Sequence, residues 1–296
     1  MPKCRARAAE KVAPMGIQEL LHNVAERSGF RTYAAALAAP NLSDAVRFPY
    51  GPFQFKTQLP KGTAYVVLAS TDLKNWTTIS NSTAGLDPIE YVDSEAFKFS
   101  CRFYRVLAGA VQSRNVLGYV SVTLPPGFSM IANPLEGPAS RVADLFREWP
   151  DGTSLNKYDT HLFGLDKNEV KDGRWSDGSE NLLPGEGAIF FNPTQDYKSH
   201  SFVGEVLQGN LSMPIPQGFS IRSSLVPQPG VLDELLFPIA DGDVIHLFDR
   251  DRQKYVLYPY VDGKWSAEAP VVSAGESFWV AKAKPGNWTR SLVIGG

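Results

Sequence analysis

Residues 172–176 read Asp-Gly-Arg-Trp-Ser and residues 262–266 read Asp-Gly-Lys-Trp-Ser, so one motif recurs after 90 positions. Further matches recur in the same order after 90 or 91 positions: Gly-Phe-Ser at 127–129 and 218–220, Leu-Phe at 145–146 and 236–237, Asp-Gly at 151–152 and 241–242, and Gly-Glu at 185–186 and 275–276. Ordered matches at one spacing indicate an internal duplication. The sequence therefore predicts two homologous repeats, at 117–207 and 208–294.

Each repeat is expected to be a mainly β unit with one short helix. In the first repeat, the patterns predict strands at 118–124, 128–132, 154–159, 162–170, 185–191 and 201–206, and a helix near 140–148. The Asp-Gly pair before each repeated Trp is a hairpin-turn signal. These features favour a small barrel or roll, with the two copies packed face to face or joined into one pseudo-two-fold body.

The segment ahead of the repeats, residues 45–110, contains short apolar or alternating runs about ten residues apart. Gly, Pro and Asn-Ser separate these runs, a spacing typical of a small antiparallel β-sandwich. Residues 70–76, Ser-Thr-Asp-Leu-Lys-Asn-Trp, combine turn formers with a Trp that would anchor the returning strand. Residues 102–106, Arg-Phe-Tyr-Arg-Val, would form the closing strand.

Residues 1–44 differ from the rest and read as a helical leader or linker. Ile17, Leu20, Leu21 and Val24 recur at helical spacing. This segment is expected to dock as a helix, with amphipathic membrane binding as the alternative. The first ten residues are charged, but no apolar segment follows them, so no secretory signal peptide is visible.

Composition excludes several classes of function. Lys and Arg total 29 and Asp and Glu total 31, so the net charge is -2 and no basic face for nucleic acid is expected. No apolar run approaches the ~18 residues of a membrane-spanning helix. The two cysteines, Cys4 and Cys101, are too few for a disulfide framework or a zinc site on their own. Whether they pair stays open.

No motif for catalysis, cofactor binding or metal binding is evident. The four histidines do not pair at metal-ligand spacing, and the sequence contains neither a G-x-S-x-G elbow nor a phosphate loop. Glu186 and Glu276 occupy equivalent repeat positions after a Gly turn. A structural role, accepting backbone N–H bonds, is favoured over a glycosidase-like pair of carboxylates. The sequence therefore predicts no enzyme and no cofactor.

Aromatic residues are the remaining candidates for ligand binding. Trp175 and Trp265 occupy equivalent positions after the Asp-Gly turns, and Tyr258 and Tyr260 lie near Trp265 in the sequence. Exposed rings bind the apolar faces of sugars, so these four residues could form a carbohydrate platform. The alternative, which is favoured for the two Trp residues, is that each ring plugs its hairpin against the core.

The Ser70–Trp76 stretch and the closing Arg-Phe-Tyr-Arg-Val strand resemble a β-sandwich module that is common in large surface or secreted proteins of environmental bacteria. The repeats resemble units that follow this module in such proteins, with Pro-Gly-Phe-Ser-x-Ile-Ala-Asn-Pro-Leu at 126–135 and Phe-Val-Gly-Glu-Val at 202–206. The second repeat departs from the pattern, with Arg-Ser-Ser at 222–224 and Ser277 in place of the second Gly. The resemblance implies an extracellular or cell-surface location.

These observations predict a non-enzymatic, extracellular or cell-surface structural or adhesion protein built from β modules. Its expected partner is a second copy of itself, as a homo-oligomer or a larger assembly, or a polysaccharide. A carbohydrate-binding protein that uses the repeated Trp residues is the alternative. A hydrolase with carboxylates from both repeats is the weaker alternative.

Overall fold

The computed structural model describes residues 37–85, 88–137 and 140–294. The helix expected around Ile17 to Val24 lies outside these residues. From Ala39 onward the chain forms one compact unit that is mainly β, with antiparallel pairing throughout its described sheets. No described helix is long and apolar enough to span a membrane.

The single α-helix of the described residues is α1 (Val142–Leu145), and a 3-10 turn covers Ala96–Lys98. The strands are β1 (Leu42–Arg47), β2 (Phe53–Thr57), β3 (Ala64–Ser70), β4 (Thr77–Thr83), β5 (Ile89–Asp93), β6 (Cys101–Ala108), β7 (Val111–Gln112), β8 (Leu117–Leu124), β9 (Gly127–Ile131), β10 (Ser154–Asp159), β11 (Gly164–Lys171), β12 (Arg174–Trp175), β13 (Ala188–Asn192), β14 (Lys198–Glu205), β15 (Gly209–Ile215), β16 (Gly218–Arg222), β17 (Gly230–Val231), β18 (Val244–Asp249), β19 (Lys254–Val261), β20 (Lys264–Trp265), β21 (Val271–Val272), β22 (Phe278–Lys282) and β23 (Gly286–Leu292).

The N-terminal part is sandwich-like. A three-stranded sheet, β1-β2-β5, faces a six-stranded sheet of order β14-β8-β6-β3-β4 with β7 on β6. Between them lie fully buried rings, of which Phe53 stacks on Tyr104 with centroids 4.7 Å apart and contacts Tyr119 at 5.4 Å. Strands β8 and β14, which the sequence assigns to the first repeat, complete the sandwich. The module and the repeat therefore share one sheet.

A buried polar network stabilises this sandwich. The Asp93 carboxylate accepts hydrogen bonds from the Arg102 guanidinium at 2.8 Å and from the Tyr104 hydroxyl at 2.7 Å. Burial and the neighbouring Asp93 carboxylate raise the pKa of Tyr104 well above its ordinary value. A buried charge is tolerated only where it is paired and hydrogen-bonded, and here each partner satisfies the others.

The opposite face of the six-stranded sheet packs against a second layer formed by the first repeat. This layer, the first-repeat sheet, has the order β12-β11-β10-β13-β9. The core between the layers contains Val120 and Phe202 from one side and Leu155 and Phe190 from the other. Helix α1 covers one side of this core with the buried Val142.

The second repeat has the same strand order. Its second-repeat sheet runs β16-β22-β18-β19-β20, and its first and last strands, β15 and β23, pair with each other as β8 and β14 do. A separate core lies beneath it, containing Trp288, Phe278 and Val280. In each repeat the first and last strands leave the five-stranded sheet and pack across it as a separate layer. None of the described sheets closes on itself, so the expected barrel does not form.

The short helix expected in each repeat forms only in the first. In the second, residues 232–236 form successive turns instead. Leu236 adopts a left-handed φ of 57°, which an α-helix cannot include. The N–H of Leu235 still bonds to the carbonyl of Val231 at 3.0 Å, so a single helical turn remains.

Backbone bonds join the repeats around a pseudo-two-fold axis. The N–H of Ala132 donates to the carbonyl of Gly275 at 3.0 Å, and the N–H of Ser223, the equivalent of Ala132, donates to the carbonyl of Gly185 at 3.0 Å. The bridges Ile131 to Glu276 and Glu186 to Arg222 repeat this relation. These paired bonds fix the orientation of one repeat relative to the other. The outer faces of the two repeat sheets therefore adjoin along one boundary, which we call the seam.

Candidate functional site

The outer face of the first-repeat sheet forms an apolar groove of about 560 Å³. Phe128 and Met130 extend from β9 into this groove, and Ile189 and Phe191 extend from β13. Alternation along each strand explains the arrangement, because the residues between them, such as Phe190, point into the core. Both faces of this sheet are therefore apolar, which structural stability alone does not require.

Polar side chains line one side of the groove. Lys167 and Glu169 on β11 pair at 2.9 Å and are each about half exposed. The side-chain NH2 group of Asn156 donates to the backbone carbonyl of Ile189 at 3.2 Å, so the side-chain oxygen of Asn156 points away from that bond. A few polar groups beside an apolar floor are the usual composition of a ligand site.

Two rings of the second repeat close the groove at the seam. Phe248 and Tyr255 line it, with centroids 4.9 Å apart in an edge-to-face arrangement. The hydroxyl of Tyr255 accepts a hydrogen bond from the Trp279 indole at 3.1 Å. The groove therefore continues into the outer face of the second-repeat sheet.

That outer face is aromatic and adjoins one ring of the first repeat. We call this set of rings the aromatic face: Tyr158 from the first repeat, with Phe219, His246, Tyr255 and Trp279 from the second. Tyr158, from the first repeat, contacts the ring of Trp279 edge-on at 4.8 Å. Phe219 is 50% exposed and lies 5.9 Å from His246 and 6.2 Å from Trp279. Burial lowers the pKa of His246 and raises that of Tyr255, and both shifts favour the uncharged form of the ring.

Trp175 and Trp265, the ring candidates of the sequence, lie on the short strands β12 and β20 and do not line the groove. The Trp175 indole donates to the carbonyl of Phe146 at 3.0 Å, and its ring packs against the core. The Trp265 indole donates to both carboxylate oxygens of Asp233 at 3.0 Å. Both contacts fit the plug interpretation, and a role in ligand binding stays a prediction.

The two tyrosine candidates lie on β19, the strand that pairs with β20 and its Trp265. Tyr258 packs against the core of the second repeat. Tyr260 contacts the Trp265 ring edge-on at 5.2 Å, and its hydroxyl donates to the carbonyl of Gly263 in the adjacent hairpin turn. The structure brings Tyr260 and Trp265 together at the sheet edge, away from the aromatic face, and their role in ligand binding stays a prediction.

Glu186 and Glu276 each accept a backbone hydrogen bond, from the N–H of Leu183 and of Ser273 respectively, both at 2.9 Å. Glu186 also accepts from Lys157 at 2.9 Å. The equivalent bonds match the structural role expected for these carboxylates. Hydrolysis by this pair stays a hypothesis for which the contacts supply no argument.

The histidines of the described residues are separated from one another. His161 is exposed at a hairpin tip, and His246 belongs to the aromatic face. His200 stacks on Phe146 at 4.5 Å, and burial lowers its pKa to about 4. Within the described residues, no three His, Cys, Asp or Glu side chains come together as metal ligands. His22 and Cys4 lie outside these residues, and Cys101 has a free thiol.

Sequence reasoning missed the groove and the aromatic face, although two of their residues stand in the repeated Gly-Phe-Ser motif. Phe128 and Phe219 follow the motif glycines, but the motif is interpreted as a mark of the repeat, and its Phe residues are assigned no role. The available signal was alternation: in Ala188–Asn192 both Phe190 and Phe191 are large and apolar, so one of them must face outward. Sequence alone does not reveal that the outward faces of two repeats adjoin.

Comparison of the sequence with protein-family models and with curated proteins finds no match. The resemblance to bacterial surface proteins therefore stays a prediction based on short motifs. Since a fold does not by itself imply a function, the function is argued from the groove and the aromatic face.

Proposed function

We propose that this chain is a non-enzymatic binding protein of the adhesion type, which holds a carbohydrate chain along the groove and the aromatic face. One observation supports it: Phe128 and Phe191 line one groove with Phe248 and Tyr255 of the second repeat, and Tyr255 bonds to Trp279 of the adjoining aromatic face. Soluble proteins rarely expose a contiguous apolar surface without a binding role.

A carbohydrate fits this surface better than a charged ligand. The C–H faces of sugar rings are apolar and pack on aromatic faces, while their hydroxyls need hydrogen-bond partners at the rim. Asn156, Lys167 and Glu169 provide such partners along one side of the groove. Lys167 and Glu169 offset each other in charge, so the site favours a neutral polymer over an acidic one.

The finer organisation is part of the same proposal. The matching strand orders support two repeats at 117–207 and 208–294, preceded by a sandwich module at 45–110. In this interpretation the duplicated β sheets present the binding surface, and the sandwich module supports it from behind through the shared six-stranded sheet. An extracellular or cell-surface location, implied by the motif resemblance, would place this surface among polysaccharides.

The test is retention of the full-length protein on cellulose, on chitin and by a soluble neutral β-glucan in affinity electrophoresis. Wild-type protein should be retained by at least one of these polymers. Trp279→Ala should weaken retention about tenfold or more, because it removes the ring that contacts both Tyr158 of the first repeat and Phe219 of the second. Trp175→Ala should lower stability by about 3 kcal/mol and leave binding by the folded protein unchanged.

Tyr50→Ala is the matched control, since Tyr50 is 79% exposed and lies on the sandwich, away from the groove. It should bind as the wild type does. Absence of retention on every polymer, or equal retention of the Trp279→Ala protein, would refute the carbohydrate proposal. Loss of binding in Trp175→Ala with stability intact would return the site to the sequence-predicted platform.

A further inference from the structure

The edge strand β9 of the first-repeat sheet is closed by a side chain. Gln253, in the hairpin between β18 and β19, accepts a hydrogen bond from the N–H of Phe128 at 2.8 Å and donates one to its carbonyl at 2.9 Å. The carboxamide thus supplies both bonds of a missing neighbouring strand. Arg250 of the same hairpin anchors it by donating to the carbonyl of Thr123 at 2.8 Å. Closing of edge strands prevents unwanted pairing with other chains.

Among the described residues, nothing pairs with the equivalent edge at Phe219 in the second repeat. Strand β16 pairs with β22 in the register that β9 has with β13, so the N–H and carbonyl of Phe219 point away from the sheet as those of Phe128 do. At Gly127 a Cβ would meet Gln253 at 2.8 Å, whereas at Gly218 no atom lies within 4 Å of that position.

The residue that corresponds to Gln253 cannot close this edge. It is Phe163, in the hairpin between β10 and β11, and both residues share a left-handed backbone, with φ of 53° and 51°. The phenyl ring has no group that could bond to the backbone of Phe219. Phe163 is instead 77% exposed, and its neighbour Leu162 is 80% exposed.

The two hairpin tips also differ in charge. Residues 250–254 read Arg-Asp-Arg-Gln-Lys, while residues 160–164 read Thr-His-Leu-Phe-Gly. The tip at 250–254 is charged and bonds to the edge of β9, whereas the tip at 160–164 contains two exposed apolar side chains. An open strand edge, and leucine and phenylalanine exposed on the tip whose counterpart closes β9, are features that soluble chains normally avoid, so a partner surface is indicated.

We propose that the β16 edge and the Leu162–Phe163 tip form an interface between two copies of this chain. A two-fold contact needs only one self-complementary patch, and antiparallel pairing of β16 with its copy is self-complementary. The second copy supplies the backbone donor and acceptor that Gln253 supplies at β9. Residues 160–164 contain no Asp, Glu, Lys or Arg that would repel the same tip of a second copy, and their one ionisable side chain is His161.

Gln253, the counterpart of Phe163 in the other hairpin, suggests the variant that tests this interface. Phe163→Gln places at this tip the residue that closes the equivalent edge, so it should close the β16 edge from within the same chain. Wild-type protein should dimerise with increasing concentration in sedimentation velocity and light scattering. The Phe163→Gln protein should dimerise at least about tenfold more weakly. Leu162→Asp, at an 80% exposed tip position, should also weaken dimerisation, because it would bring two like charges together at the interface.

Hydrogen exchange supplies a second readout at the edge itself. The amide of Phe219 should exchange fast in dilute wild-type protein and more slowly as the dimer forms. In Phe163→Gln it should be protected at every concentration. The control is Tyr50→Gln, which removes an exposed ring elsewhere and should leave dimerisation unchanged.

Two results would overturn the interface: a wild-type protein that stays monomeric up to about 100 µM, or a dimer that both tip variants leave intact. The inference does not rest on the carbohydrate proposal. Phe163 and Leu162 do not line the groove, so polysaccharide retention by the Phe163→Gln protein should equal that of the wild type when both are compared at concentrations where they are monomeric, which removes the effect of avidity. Failure of one proposal is thereby distinguished from failure of the other.

Discussion

At the scale of single residues, His200 shows how packing changes chemistry without creating a site. Its ring stacks on Phe146 at 4.5 Å and contacts Phe202 edge-on at 4.7 Å. The Nε2 atom is buried and has no hydrogen-bond partner within the described residues. A charged imidazolium would be poorly solvated there, so the ring behaves as a flat apolar side chain.

This environment predicts a pH dependence of stability. The pKa of His200 is lowered to about 4, whereas an unfolded His titrates near 6.5. Between these values the unfolded chain binds a proton that the folded chain does not. The free energy of unfolding should therefore fall as pH drops from about 6.5 to about 4, by at most ~1.4 kcal/mol per pH unit.

Urea unfolding at several pH values measures this slope. His200→Phe keeps the packing and cannot bind a proton, so its slope over this range should be shallower than that of the wild type. His161→Gln, at an exposed hairpin tip, should keep the wild-type slope. Equal slopes in all three proteins would show that His200 titrates as it does in water.

At the scale of secondary-structure elements, the approach of the two repeats explains a departure from repeat symmetry. Gly187 precedes β13, and its equivalent in the second repeat is Ser277, which precedes β22. A Cβ at Gly187 would lie 2.4 Å from the Cβ of Ser277 and 2.5 Å from Cγ2 of Ile221. The two positions meet near the pseudo-two-fold axis, where the space holds one side chain and not two.

Gly187→Ala should consequently lower the free energy of unfolding by about 1–3 kcal/mol, the usual cost of overpacking. Adding Ser277→Gly should restore part of this loss, because it removes the closer of the two clashing groups. Denaturant unfolding measures both effects. Gly85→Ala is the control, since a Cβ at Gly85 meets nothing within 4 Å. A Gly187→Ala protein as stable as the wild type would mean that the repeats can move apart at this point.

At the scale of the whole molecule, three parts of the chain share one core. The principal apolar cluster contains Leu73 of the sandwich module, Phe190 of the first repeat and Val226 and Ile294 of the second. The side chain of Gln228 also donates to the carbonyl of Asp72 at 2.9 Å, which joins the second repeat to the 70–76 turn. The sandwich module and the two repeats cannot unfold independently, because unfolding of one part would expose the apolar core residues of the others.

The described unit should therefore unfold in a single transition. Tryptophan fluorescence and far-UV circular dichroism should give coincident denaturation curves. Leu73→Ala should shift the whole curve, with a loss of about 2–5 kcal/mol, although Leu73 belongs to the sandwich module. Val293→Ala, at a 75% exposed position, should change stability by less than about 0.5 kcal/mol. Two resolved transitions would instead show that the modules fold separately.

The sandwich module shows which structural features short sequence patterns predict and which they do not. The turn at 70–76 forms as the residue types indicate, because the Asp72 carboxylate accepts backbone bonds from Lys74 and Asn75 at 2.8 and 2.7 Å. Burial by itself raises the pKa of Asp72, but the hydrogen bonds from Asn75 and Lys74 outweigh this effect and hold the pKa well below its ordinary value. Local patterns did not reveal that β8 and β14 complete this module's sheet, since pairing of distant strands has no signature within either strand.

The sequence by itself determined the mainly β class, the recurrence of motifs after 90 positions and the Asp-Gly hairpins. Each of these depends on residues close together in the chain, such as Asp172 and Gly173, which both adopt the positive φ that this hairpin turn requires. Only the tertiary structure decided that the outer faces of two sheets meet in one aromatic surface and that Gln253 closes one edge while Phe163 leaves the other open. The physical reason is that both features depend on contacts between residues far apart in the chain, such as Gln253 and Phe128, which a local pattern cannot specify.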